Sequence, residues 1–217
     1  MRWPERHDRV WLRPDWPQWL RTPLPPAEAA ALGDWLGAGL PLAGARKAPH
    51  DAADTVRLGL TLPGRRRLGV ALGHAALARI APPLALAEVL DSAPVSWRAR
   101  ARAVLDLAGF CGAGVQVQVY GSLSWQHLSG TAYVTPDSDL DLLLCIDGSG
   151  RSNGDILSLL AGLTALEGGT PRLDGELRLP DGSDVAWREL AARPPKLLVR
   201  SRSTLGFRPL AELLAPA

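Results

Sequence analysis

The chain has 217 residues, 47% of them hydrophobic and 21% charged, with a formal net charge of +2. That length suits one large or two small domains with a real core, and hydrophobicity this high excludes a solvated coil. A net charge so small excludes a dedicated nucleic-acid binder, whose basic excess would be plain. Only Lys47 and Lys196 are lysines, so 22 arginines stand against 22 acids. The two halves differ: residues 1–110 carry 15 basic and 10 acidic groups, residues 111–217 carry 9 and 12.

The most apolar stretch, Leu68 to Leu90, is interrupted by His74, Arg79, Pro82 and Pro83, which excludes a spanning helix. The opening MRWPERHDRV lacks the apolar core of a signal peptide. Cys111 and Cys145 have no motif spacing and read as reduced core thiols. A cytoplasmic location is expected, with neither a membrane nor a nucleic acid as partner.

Pro25-Pro26 followed by AEAAALGDWL predicts a helix with proline in its first turn, ended by Gly37 and Gly39. Residues 55–62 and 66–72, separated by Pro63-Gly64, predict a hairpin. A helical stretch punctuated by Pro82-Pro83 is expected next, and Pro94 opens a helix through WRARARAVLDLAGF. The domain boundary is expected near residues 92–94, giving an α/β module over 1–93 and a second domain over 94–217.

In the second domain VQVQVY (115–120) alternates strictly and ends in Gly121-Ser122, where the helix SLSWQHL begins. DLDLLLCI (139–146) is half alternating and then wholly apolar, as a central strand should be. An apolar-striped helix covers 152–166. RLDGELRLP and SDVAWRE predict a hairpin across Asp181-Gly182, and KLLVR (196–200) a last strand. This order makes an α+β or mixed α/β fold.

The chemistry concentrates where Gly121-Ser122 follows one strand and Asp139-Leu140-Asp141 opens the next. Residues i and i+2 of a strand share a face, so both carboxylates project together. Their repulsion is relieved by a hard divalent cation such as Mg²⁺, with Mn²⁺ as a substitute. The Gly-Ser turn offers close backbone approach and N–H groups at a helix start, a seat for phosphate. Together these are the equipment of phosphoryl or nucleotidyl transfer. A third carboxylate would complete the metal shell. Asp174 and Glu176 share a face in RLDGELRL, and Glu176 is preferred because Asp174-Gly175 suits a bulge.

Gly-Ser followed by Asp-x-Asp resembles the polymerase-β-like nucleotidyltransferase superfamily, although sixteen residues separate Ser122 from Asp139, more than in most members. The wording VYGSLSWQHLSGTAYVTPDSDLDLLL is similar to one branch in particular. That branch is the malonate decarboxylase holo-acyl-carrier-protein synthase, or phosphoribosyl-dephospho-CoA transferase, family (the MdcG family). The resemblance extends to Arg6-His7-Asp8, Val10-Trp11-Leu12, Pro41-Leu42 through Arg46-Lys47, the arginine hairpin at 65–72, DGEL at 174–177 and Val185 to Glu189.

The resemblance implies a nucleotidyltransferase fold and a defined reaction. The donor would be 2′-(5″-triphosphoribosyl)-3′-dephospho-CoA, bound in a cleft between the domains, and the acceptor a serine of the acyl-carrier subunit of malonate decarboxylase. Pyrophosphate would leave. Asp139 and Asp141 would hold Mg²⁺ with Glu176 or Asp174, while Gly121 and Ser122 would hold the triphosphate. Arg6, His7, Arg46 and Lys47 match the family's basic residues and would contact the donor, and Lys196 or Arg200 could offset charge on the pyrophosphate.

Plainer readings stand beside these. Arg65, Arg66 and Arg67 read as a solvated turn that could also pair with phosphates. Trp125 and Trp187 read as core packing and alternatively as adenine-stacking groups, and His127 as structural. Two other functions stay open: a nucleotidyltransferase for a small molecule or an RNA end, and a silent module binding CoA or a nucleotide. The intact Asp139/Asp141 pair argues against silence.

Overall fold

The computed structural model describes residues 1–111, 114–146 and 153–213, with the side chains of Arg65 and Asn153 outside that description. The chain divides into two compact units, Met1–Pro83 with Ser201–Thr204, and Leu84–Arg200 with the residues from Leu205 onward.

The first unit holds β1 (Arg9–Leu12), α1 (Pro26–Gly37), β2 (Leu42–Ala45), β3 (Thr55–Leu62), β4 (Arg66–Gly73) and β5 (Leu77–Ala81). The strands form one antiparallel sheet in the order β4-β3-β2-β1-β5. The expected hairpin is β3 and β4, in continuous register from Thr55↔Gly73 to Leu62↔Arg66. Alternation drives it: Val56, Leu58, Leu60, Leu68, Val70 and Leu72 are all buried. Helix α1 starts at the predicted proline, stops at Gly37, and buries Leu32 and Trp35. The indole N–H of Trp35 donates to the Pro41 carbonyl at 2.9 Å.

The stretch after β4, expected to be helical, instead contains the strand β5. Ala- and Leu-rich LARIA has helix-forming residues, but pairing along β1, from Arg9↔Ala81 to Leu12↔Leu77, overrides that local preference.

The second unit holds β6 (Leu84–Ala85), α2 (Leu86–Val89), α3 (Val95–Phe110), β7 (Val115–Val119), α4 (Gly121–Ser129), β8 (Leu140–Ile146) and α5 (Asn153–Ala165). It continues with β9 (Leu173–Arg178), β10 (Asp184–Ala186), α6 (Trp187–Ala191), β11 (Lys196–Arg200), β12 (Leu205–Pro209) and α7 (Leu210–Leu213). Among the described residues its seven-stranded sheet runs β12-β11-β10-β9-β8-β7-β6, with β8 and β9 the one parallel pair. A parallel pair needs a crossover, which α5 supplies. Leu142, Leu143 and Leu144 are wholly buried, as expected of a central strand.

The division falls at Pro83, ahead of the expected residues 92–94. Leu84 already pairs with Val119 of β7, and Leu86, Val89 and Ala93 belong to the second unit's core. Pro82-Pro83 therefore makes the break and Pro94 only starts α3. SDVAWRE also departs from expectation: its strand ends at Ala186, because Trp187 and Leu190 bury one face of α6 in the core. The overall class is mixed α and β, as expected. Among the described residues no helix is long and apolar enough to cross a membrane.

Candidate active site

Strand β7 ends at Val119, and the Tyr120 N–H continues its pairing by donating to the Asp141 carbonyl at 3.1 Å. The chain then turns sharply through Gly121, with φ +70, into α4. A Cβ on Gly121 would collide with the Asp141 carboxylate, its Cγ lying only 2.8 Å away. Glycine is thus required twice over, by the positive φ and by the carboxylate against its α-carbon. Ser122 follows, half-buried, in the first turn of α4, whose N-cap residue Tyr120 makes no side-chain cap.

The parallel register of β8 and β9 builds the rest. Asp141 pairs with Asp174 and Leu143 with Glu176. Directly paired residues share a face, so Asp139, Asp141, Asp174 and Glu176 lie on one side of the sheet. The pairing runs from Leu140↔Leu173 to Cys145↔Arg178 without a shift. The expected bulge at Asp174-Gly175 is absent. Gly175 takes φ +134, and a Cβ there would strike the Leu142 carbonyl, so only glycine lets β9 lie this close to β8. With no bulge, Asp174 is the direct neighbour of Asp141, while Glu176 sits one pair further along and is buried.

Arginines neutralise this row. Arg172 grips Asp139 with Nε on Oδ1 at 2.8 Å and Nη2 on Oδ2, and lies 3.7 Å from Asp174. The hydrogen bond to Asp139 holds the Arg172 guanidinium above its ordinary pKa. Arg188 pairs with Glu167, donates to the Leu173 carbonyl and lies 3.9 Å from Asp174. Arg200 of β11 is 3.8 Å from Glu176. Arg178 and the buried Asp184 form a two-point pair at 2.7 and 3.1 Å. Alternation in RLDGELRLP already put Arg172 and Arg178 beside the acids, but it could not name their partners. Arg188 was marked only by the Val185 to Glu189 patch of the family resemblance, which gave it no role beside the acids.

The other singled-out residues divide between the units. In the first, the His7 N–H donates to the Gly44 carbonyl at 2.9 Å, with His7 at φ +68. The Glu5 carbonyl lies where a Gly44 Cβ would be. This close crossing sets Arg6-His7 beside β2 and hence near Arg46-Lys47, which follow it. Lys47 Nζ donates to the Ala53 carbonyl at 3.0 Å. Arg66 and Arg67 are exposed at the start of β4, as a solvated turn predicts, and the Arg65 side chain lies outside the described residues. In the second unit Lys196 is exposed on β11. Trp125 and Trp187 are 8% and 1% exposed, which makes them core and not stacking platforms. His127 Nδ1 is bonded to Ser92 Oγ at 2.8 Å. Cys111 and Cys145 form no disulfide.

Residues 85–210 match the family model "Phosphoribosyl-dephospho-CoA transferase MdcG C-terminal domain", and residues 5–83 match the N-terminal domain of the same name. The chain belongs to this family. The two family domains meet where the chain divides, between Pro83 and residue 85. Similar proteins named phosphoribosyl-dephospho-CoA transferase occur in several bacteria. One from Xanthomonas campestris pv. campestris (strain 8004) is 36% identical over 90% of this chain and 89% of the relative. One from Xanthomonas axonopodis pv. citri (strain 306) is 37% identical over 96% and 95%. One from Bradyrhizobium diazoefficiens (strain USDA 110) is 37% identical over 91% and 87%. No solved structure matches the chain. The family is one of transferase enzymes.

Proposed function

We propose that this chain transfers the 2′-(5″-phosphoribosyl)-3′-dephospho-CoA group from its triphosphoribosyl donor to a serine of the acyl-carrier subunit of malonate decarboxylase, in the cytoplasm. The serine hydroxyl attacks the α-phosphorus, a serine O–P bond forms, and the bond to the departing pyrophosphate breaks. The second unit is read as a polymerase-β-like nucleotidyltransferase domain. The observation carrying the proposal is the pairing of Asp141 with Asp174 beneath the Gly121 turn.

The donor set fits a hard divalent cation, because Asp139, Asp141 and Asp174 offer only carboxylate oxygens from two adjacent strands. Bound there by Asp139 and Asp141 with Asp174 or Glu176, Mg²⁺ or Mn²⁺ supplies Lewis-acid stabilisation of the phosphoryl charge. Gly121 and the start of α4, with Ser122, hold the triphosphate tail through N–H and hydroxyl donors. Arg6, Arg46 and Lys47 add cationic contacts to the donor, His7 a hydrogen bond, and Lys196 offsets charge on pyrophosphate. Asp174, 42% exposed at its side chain where Glu176 is 10% exposed, accepts the serine proton.

Incubation with the apo acyl-carrier subunit, donor and Mg²⁺, followed by intact mass spectrometry, tests this. One added prosthetic group per subunit, with pyrophosphate released, is expected. Donor binding without any added mass overturns the proposal.

A further inference from the structure

Strand β12 is the edge of the second unit's sheet, and it presents Phe207 71% exposed and Leu205 49% exposed. Edge strands are ordinarily blunted with charge or proline. Here the charge is present as well: Lys196 and Arg200 stand on the same face of β11 as Leu198, the partner of Phe207, and Arg193 precedes that strand, while Arg208 on the opposite face is taken up by Asp181 at 2.7 Å. Guard charges alone would leave no reason for an exposed phenylalanine in their midst. Neither Arg193 nor Lys196 has a side-chain partner among the described residues. An apolar anchor inside a basic rim is the composition of a protein-docking surface.

The register decides which way this surface looks. Leu205 pairs with Arg200 and Phe207 with Leu198, while Arg200 pairs with Asp184 and Asp184 with Arg178. Arg178 shares its face with Glu176 and Asp174 by alternation along β9. Leu205 and Phe207 therefore stand on the same face of the sheet as the candidate catalytic carboxylates. Three strand spacings separate β9 from β12, or about 14 Å. Phe207 is thus on the carboxylates' side of the sheet.

We infer that β11 and β12 form the surface on which the acceptor protein docks, through an acidic patch carrying one apolar pocket for Phe207. The identity of the acceptor rests on the transfer reading above. The chemistry of the patch rests on the hairpin itself. Opposite charge steers the encounter and makes it salt-dependent, and the aromatic side chain supplies the anchor.

The test uses the full chain and the apo acyl-carrier subunit, with Phe207→Asp, Leu205→Asp and Phe207→Leu. Binding is followed by interferometry and transfer by mass, each across a salt series. Phe207→Asp and Leu205→Asp should each raise KM and Kd for the acceptor at least tenfold, with kcat and donor affinity within twofold of wild type. Phe207→Leu should recover most of the loss, and higher salt should weaken wild-type binding. Wild-type transfer with unchanged acceptor KM in both Asp variants overturns the docking surface and leaves the transfer reading intact. Acceptor binding that is lost in Phe207→Asp, without any transfer by wild type, does the reverse. Absence of acceptor binding by wild type overturns the docking surface. So does a wild-type dimer, seen by light scattering, that Phe207→Asp dissociates.

Discussion

Arg172 holds Asp139 in a two-point ion pair across the start of the β8 and β9 pair. Asp139 is also one of the two acids expected to bind a divalent cation, so the guanidinium and the cation compete for the same oxygens. Arg172 is 61% and Asp139 25% exposed at their side chains, and solvent screening keeps such a pair worth less than about 1 kcal/mol. Arg172→Gln should accordingly leave the urea midpoint nearly unchanged while tightening Mn²⁺ binding a few-fold. Titration by electron paramagnetic resonance reads the second effect, and weaker Mn²⁺ binding would show that Arg172 orients Asp139 instead of competing for it.

Asp139→Ala and Asp141→Ala should each lower transfer at least a thousandfold, since the carboxylates supply the charge on which phosphoryl transfer depends. Both are partly exposed, so the variants should fold. Intact mass of the acceptor and circular dichroism of the enzyme separate the two effects. Unchanged transfer in both would mean that this row of acids is not the active site.

The glycines make a graded series. Gly130 has φ +67 with nothing within 4 Å of a built Cβ, so Gly130→Ala should cost only the backbone strain, about 1–2 kcal/mol. Gly121→Ala adds displacement of the Asp141 carboxylate and should also lose transfer. Gly175→Ala drives a Cβ into the Leu142 backbone, which cannot swing aside, and should cost more than about 3 kcal/mol. Urea denaturation of the three variants checks the ranking.

Asp51 provides a pH test in the first unit. Its carboxylate accepts Arg57 Nε at 2.7 Å, Arg57 Nη2 at 2.8 Å and the Ala48 N–H at 2.6 Å. The Arg57 guanidinium, chiefly, lowers its pKa from 3.8 to about 2. A depressed carboxylate stabilises the fold above its unfolded pKa and loses that contribution as pH falls through the folded one. The window is therefore about pH 4 down to 2, and the screened contribution is about 1–2 kcal/mol. Asp51→Asn should be less stable than wild type by that amount at pH 7, the gap closing toward pH 2.

Asp184 is 1% exposed and Arg178 14% exposed at their side chains. Removing one member of such a pair strands the other, at a cost of about 3–5 kcal/mol. Asp184→Ala should lose about that much in urea denaturation. Arg178→Leu combined with Asp184→Ala should lose less than the sum of the single variants. Strict additivity would mean that the two groups are not coupled.

Period-two alternation is a local property, and it is legible in the linear chain. DLDLLLCI put Asp139 and Asp141 on one face, RLDGELRL put Asp174 and Glu176 on one face, and the Gly-Ser turn followed a strand as read. The β3–β4 hairpin, α1 and α3 were legible for the same reason, because capping prolines, glycines and hydrophobic spacing act within a few residues. Motif order along the whole chain also sufficed for the family. Pairing between distant segments is not local, and there the tertiary structure decided. β5 is a strand because β1 lies beside it, and α6 is a helix because Trp187 and Leu190 meet the core. Asp174, not Glu176, faces Asp141 because β8 and β9 pair in parallel without a bulge. The near-zero net charge of the chain therefore summarises specific pairs that only the folded register creates, Arg172 with Asp139 and Arg178 with Asp184. Which charges cancel depends on which strands become neighbours, and neighbours are chosen by burying the apolar faces of the whole sheet.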